Sequence, residues 1–168
     1  MTISMYQASA PRFVNTLKNL SAMLDKAQAH CDAKRIDPLV LIGARLYPDM
    51  FAFARQVQVA CDTAKGAMAR LASVEIPKYE DTEKTFEELK ARIARTVAFI
   101  ETFKPAQIDG TEDKDYVIKL GSREVQWKGM QYLLGFALPN FYFHAATAYD
   151  ILRHNGVELV KRDFIGNP

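Results

Sequence analysis

Residues 115–150 read DYVIKLGSREVQWKGMQYLLGFALPNFYFHAATAYD, and the periodicity of the stretch changes half-way along. Asp115–Leu120 and Arg123–Trp127 are strand-like and flank Gly121-Ser122. A two-residue loop that begins with glycine fits a type II′ hairpin turn. That register sets Ile118 opposite Val125 and Tyr116 opposite Trp127, with all four side chains on one face. A helical segment follows, from about Met130 to His154. Between Gly129 and Tyr149 there is no Asp, Glu, Lys or Arg over 21 residues, a length that can span a bilayer. Gln131, Pro139, Asn140, His144 and Thr147 cost too much in hydrocarbon, so the segment reads as the buried helix of a bundle instead. Pro139 has no amide for the carbonyl of Gly135, which predicts a kink or break. Asn155-Gly156 fits a left-handed helix end.

Three further helices precede the hairpin. The first runs from about Met5 to Ala33, with Phe13, Leu17, Leu20, Leu24, Ala27 and Cys31 on one face. Pro11 marks a start or a kink in it. Asp37-Pro38 is a break and cap before the short apolar segment Leu39–Leu46. Pro48-Asp49 opens the second long helix, to about Ser73, whose buried face reads Met50, Ala54, Val57, Cys61, Ala64, Met68 and Leu71. The third runs from about Thr82, its cap, to Lys104. Its stripe is Phe86, Leu89, Ile93, Val97, Ile100 and Phe103, and its opposite face is charged, with Glu88 and Arg92 in favourable i,i+4 order. Each stripe is stable only against another helix. The architecture is therefore all-α: an up-down four-helix bundle with a short hairpin, about residues 115–127, before the last helix. Val157–Pro168 is a tail that Phe164 and Ile165 pin to the surface.

The 168 residues suit one domain spanning 1–168, and 49% hydrophobic with 25% charged residues excludes a disordered chain. A net charge of +2 speaks against a dedicated nucleic-acid binder. The pairs Lys34-Arg35 and Lys161-Arg162 read as solvated surface. Cys31 and Cys61 stand far apart, without metal-ligand spacing, and read as thiols of a reducing compartment. The N-terminus lacks the pattern of a signal peptide, so the expected location is cytoplasmic.

Catalytic signatures are absent: no G-x-S-x-G, Walker A, dinucleotide or H-E-x-x-H pattern occurs. Thr63-Ala-Lys-Gly66 lacks the glycine pattern of a phosphate loop and lies in a helix. His30 reads as exposed, and His154 as a helix-end cation paired with Asp150. His144 lies in an apolar run. A buried histidine needs a hydrogen-bond partner, here Thr147 or a carbonyl freed by Pro139; the alternative is a ligand or acid–base group in an interhelical pocket. The residues weighed for such a pocket are His144, Asp62, Gln58 and Tyr47. Asp62 itself reads as a solvated rim position, and Tyr132, Tyr142 and Tyr149 surround the idea of a site near His144.

The run Tyr132-Leu-Leu, Phe136-Ala-Leu-Pro-Asn-Phe-Tyr-Phe-His144, Ala148-Tyr149, Ile151-Leu-Arg-His-Asn-Gly156 and Asp163-Phe-Ile-Gly166 resembles an uncharacterised domain-of-unknown-function family grouped with the DinB/YfiT-like four-helix bundles. Ala44-Arg-Leu, Pro48-Asp-Met-Phe, Gln56-Val-Gln and Asp62-Thr-Ala-Lys-Gly66 agree with it. The resemblance implies the fold across nearly the whole chain. The wider superfamily contains metal-dependent enzymes, including thiol transferases, with one histidine from the second helix and an H-x-x-x-H pair from the last. Here His144 matches the first of that pair, but Ala148 stands four residues on and the second helix has no histidine. The metal triad is incomplete, so no cofactor is expected, and a divalent metal would need other ligands.

Two functions of different class follow. One is a small-molecule-binding or enzymatic bundle with a pocket near His144. The other is a non-catalytic interaction protein acting as a homodimer through a helix face or the hairpin. A DinB-like metal-dependent enzyme ranks behind both.

Overall fold

Ser4 starts the first helix by a reciprocal cap: its hydroxyl accepts from the Gln7 amide at 3.3 Å, and the Gln7 side chain accepts from the Ser4 amide at 3.5 Å. The computed structural model describes residues 3–166. Helix α1 (Met5–Lys34) carries Pro11 within it without ending there. Asp37 caps α2 (Pro38–Ile42), accepting from the Leu39 amide at 3.0 Å, as the sequence indicates.

The second long helix, α3 (Phe53–Leu71), starts at Phe53 rather than at Pro48. A turn closed by the Met50 amide on the Tyr47 carbonyl intervenes, and the Phe53 amide donates to the Ala44 carbonyl at 2.8 Å. This loop leaves Met50 outside the helix and half-buried. Helix α4 (Phe86–Glu101) is also shorter than expected. Its cap is Thr85, not Thr82: the Thr85 hydroxyl accepts from the Glu88 amide, and the Glu88 carboxylate accepts from the Thr85 amide, both at 3.1 Å. Pro105 opens the short α5 (Pro105–Ile108).

Strands β1 (Asp115–Leu120) and β2 (Arg123–Lys128) pair antiparallel, with Tyr116 opposite Trp127 and Ile118 opposite Val125. Gly121 takes φ +60° while Ser122 does not enter the left-handed region, as a II′ turn requires. Tyr116 and Ile118 are buried, and the Tyr116 hydroxyl donates to the Leu71 carbonyl at 3.1 Å. Trp127 stacks on Tyr132 and Phe136, so this face of the hairpin lies on the bundle.

The last helical run consists of α6 (Gly129–Tyr132), a π-helical turn (Leu133–Ala137) and α7 (Leu138–His154). The Leu138 amide donates to the Leu133 carbonyl, one residue further back than in an α-helix. This widened turn accommodates Pro139 where a kink or break was expected, because it changes the ladder just where the proline has no donor to give. Gly156, at φ +90°, follows the helix end. The tail folds back through α8 (Lys161–Ile165), where Asn15 and Asn19 donate to the Ile165 and Phe164 carbonyls. Phe164 is half-buried against Tyr149, whereas Ile165 stays exposed.

The four long helices pack as α3 on α7, α1 on α4, α3 on α4 and α1 on α7. This places α1 and α3 on one diagonal of the bundle. Phe13 and Phe141 meet edge to face at 4.8 Å in the core. The stripe residues of α1 and α4 are buried as read, and on α3 the small residues Ala60, Ala64 and Ala67 are wholly buried. Among the described residues, no helix is long and apolar enough to cross a membrane.

Candidate functional site

His144 is buried on α7, facing Gln56 of α3. Its Nδ1 lies 2.6 Å from Oε1 of Gln56, while Nε2 of the same amide donates to the Phe51 carbonyl at 3.1 Å. The amide orientation thus presents an acceptor, so Nδ1 carries the proton and Nε2 is left with a lone pair. Neither expected partner serves: Thr147 donates to the Phe143 carbonyl, and the bond comes from another helix. Burial, followed by the Arg55 guanidinium, holds the His144 pKa below its ordinary 6.5. Two exposed aromatic rings flank the imidazole. Phe51 stacks on it at 6.3 Å between centroids, and Phe143 meets it edge-on at 5.2 Å.

A second polar cluster centres on Arg92 of α4. The sequence placed this residue on a charged outer face with Glu88, but its side chain is 0% exposed. The connector before α4 covers it. Its Nη1 donates to Glu83 at 2.9 Å and to the Glu80 carbonyl at 3.0 Å; its Nη2 meets Asp62 at 3.0 Å and Asp81 at 2.9 Å. Nε is buried without a hydrogen-bond partner among the described residues. Gln58 donates to Glu83 at 2.9 Å, Lys65 reaches Asp62 at 2.9 Å, and Arg55 pairs with Asp81. Burial pushes the Glu83 carboxyl up, but hydrogen bonds from Arg92, its own backbone and Gln58 outweigh this and hold it below 4.5. Tyr79 sits under the cations, with Lys65 at 3.7 Å and Arg95 at 3.6 Å from the ring centroid.

The four residues weighed from sequence therefore divide. Asp62 and Gln58 join the Arg92 cluster, His144 pairs with Gln56 elsewhere on α3, and Tyr47 lies on the loop before α3, 65% exposed. Asp62 is half-exposed, but it is an ion-pair partner rather than a merely solvated rim group. His30 is half-buried, not exposed, with its ring close to Gly156. His154 and Asp150 are both exposed and form no ion pair among the described residues. Gln56 is not among the residues weighed from sequence; the available signal is that Gln56 and Gln58 are both polar and both buried on α3.

The metal chemistry of the wider superfamily does not fit these residues. Where an H-x-x-x-H pair would supply its second imidazole, Ala148 is wholly buried and offers no donor atom. The residue that α3 presents to His144 is an amide already bonded to it. Among the described residues, no group of three or more His, Cys, Asp or Glu is arranged to hold a metal ion.

A solved structure of a DinB family member protein from Shewanella denitrificans is similar to this chain over its length. The identity is 40%, the TM-score is 0.88, and the alignment covers 97% of this chain and 92% of the other. No curated protein matches the chain. Residues 5–165 match the family DUF1993, a domain of unknown function, and the chain belongs to that family of DinB-like helical bundles.

Proposed function

We propose that this bundle binds a small molecule at His144, without metal. The observation that carries the reading is the Gln56–His144 hydrogen bond of 2.6 Å, which fixes the proton on Nδ1 and leaves Nε2 as an acceptor between two exposed aromatic rings. A fixed tautomer with its second nitrogen free is how an imidazole is prepared to accept a proton or a hydrogen bond. Gln56 cannot balance an imidazolium as a carboxylate would, so recognition suits the site better than strong base catalysis. The ligand class is an apolar or aromatic molecule with one hydrogen-bond donor. Free Cys31 and Cys61 support a reducing, cytoplasmic setting. Phenol is the simplest probe. Saturable NMR shifts at His144, Phe51 and Phe143 on phenol titration, absent in His144→Ala, are expected. A folded parent that shows none refutes the reading.

A second reading, a homodimer, rests on a different observation. Tyr47, Phe51 and Phe143 are 65%, 51% and 56% exposed, and Phe51 and Phe143 each pack against His144. Clustered exposed aromatic rings are typical of the centre of a protein interface. Light scattering at rising concentration tests it: a dimer that Phe51→Ser/Phe143→Ser converts to a monomer supports it, and a monomer throughout removes it.

A further inference from the structure

Gly66 lies in the middle of α3, where glycine costs about 1 kcal/mol relative to alanine. A Cβ at this position would stand 2.6 Å from Nη1 of Arg70. The missing side chain is therefore the seat of the Arg70 guanidinium, folded back along its own helix. Tyr132 holds it there: the Tyr132 hydroxyl accepts from Nη1 at 3.1 Å, and the guanidinium lies 5.9 Å from the ring centroid. Arg70 has no carboxylate within ion-pair distance among the described residues, and neither has Lys78.

Both cations line a cleft of about 620 Å³ between α3 and the connector that follows it. Lys65, only 4% exposed along its side chain, lines it as well. The apolar lining of the cleft is made by Ile76, Pro77 and the ring of Tyr79, on which Lys65 lies. Two acidic residues border the cleft. Asp62 is already shared between Arg92 and Lys65, and the exposed Glu80 lends its backbone carbonyl to Arg92. The cleft thus has the volume of a small-molecule site, an apolar wall, and two cations, Arg70 and Lys78, without a carboxylate partner among the described residues.

We infer that this cleft binds a small organic oxyanion, a carboxylate or phosphate on an apolar body. Arg70 is its principal donor, and Lys78 and Lys65 are supporting charges. Gly66 is a positioning residue, because any side chain there displaces the guanidinium. This site is separate from His144: Gln56 and Gly66 are about 15 Å apart along α3, at 1.5 Å per residue.

Phenyl phosphate is the probe, followed by NMR on the full chain, with inorganic phosphate and benzoate in parallel. Saturable amide shifts are expected at residues 65–70 and 76–80. Arg70→Gln is expected to weaken binding about tenfold, the usual loss for one charge-assisted hydrogen bond. Lys78→Gln, at an exposed position where folding is not at risk, is expected to weaken it less, and Gly66→Ala as much as Arg70→Gln. Inorganic phosphate is expected to bind more weakly than phenyl phosphate, and His144→Ala to bind like the parent. No saturable shift with any probe overturns the proposal. So does unchanged affinity in folded Arg70→Gln and Lys78→Gln, and so does inorganic phosphate binding as tightly as phenyl phosphate, which would deny the apolar wall a role.

Discussion

Gln56 of α3 and His144 of α7 meet across the bundle at 2.6 Å, amide oxygen to imidazole Nδ1. The contact couples the two helices and sets the imidazole's tautomer in one step. Burial, followed by the Arg55 guanidinium, keeps the imidazole neutral, and the amide oxygen supplies no charge that would stabilise imidazolium.

The pH dependence follows from that neutrality. The folded pKa of His144 lies below 6.5, so as pH falls the unfolded chain takes up this proton first. Stability from this group is complete above pH 6.5, declines as pH falls towards the folded pKa, and is level below it. The His144→Ala variant is expected to lose that part of the slope, read from urea melts between pH 7.5 and 5. Gln56→Glu reverses the logic. A carboxylate against Nδ1 favours imidazolium, and the NMR titration midpoint of His144 is expected to rise above 6.5. A midpoint left below 6.5 in the folded variant would show that the two side chains are not in contact.

Arg92 binds the connector before α4 to the helix pair. Substituting methionine leaves Asp62, Asp81 and Glu83 clustered without their cation. Removing one partner of a buried pair costs about 3–5 kcal/mol, and the lower end applies because Asp62 and Asp81 remain partly solvated. Chemical denaturation measures the loss. The acid limb changes too. Glu83, held below 4.5 in the fold, contributes stability that is full above that value and is lost as pH falls through its folded pKa. In Arg92→Met, which removes the leading hydrogen bond that holds this carboxyl down, the acid loss from Glu83 is expected to shrink.

These two centres differ in how far the sequence reveals them. His144 stands out because one titratable residue interrupts an apolar helix face. Its partner is harder to see, because Gln56 is one of two glutamines on one turn and only the rotation of α3 against α7 selects it. Arg92 is invisible to periodicity. It follows Glu88 at i,i+4 in a helix rich in charge, a pattern that solvated faces share. What buries it is the connector carrying Glu80, Asp81 and Glu83, whose path is set by tertiary contacts. The hairpin register, by contrast, is dictated locally by Gly121 and by the alternation of Tyr116, Ile118, Val125 and Trp127.

The start of α4 offers a separate check on local reading. Thr82 and Thr85 both precede the helix, and only Thr85 is followed three residues on by a glutamate that completes the reciprocal cap. Thr85→Ala is expected to cost about 1 kcal/mol, the ordinary value of a lost cap. Thr82→Ala is expected to change stability by less than about 0.5 kcal/mol, as an exposed position without a cap or core contact should. Equal losses at the two positions in urea melts would move the cap.

The two thiols are predicted to be inert in the folded chain. Burial pushes Cys61 up to about 12, against the hydrogen bond to Thr96 and the charge of Arg92 that lower it. Cys31 is also raised, by burial and then by Asp32 and Asp37, and it is 1% exposed. The nucleophile is the thiolate, and it is neither formed nor reachable here near neutral pH. An aromatic disulfide reagent at pH 8 is therefore expected to titrate no thiol rapidly in buffer and two in denaturant. Slow reaction in buffer then reports opening of the bundle, and its rate should rise in Arg92→Met, which loses the ion pairs to Asp62, Asp81 and Glu83 that hold the connector in place. Rapid modification of one thiol in the native parent would mean that α1 or α3 is exposed where the packing has it buried.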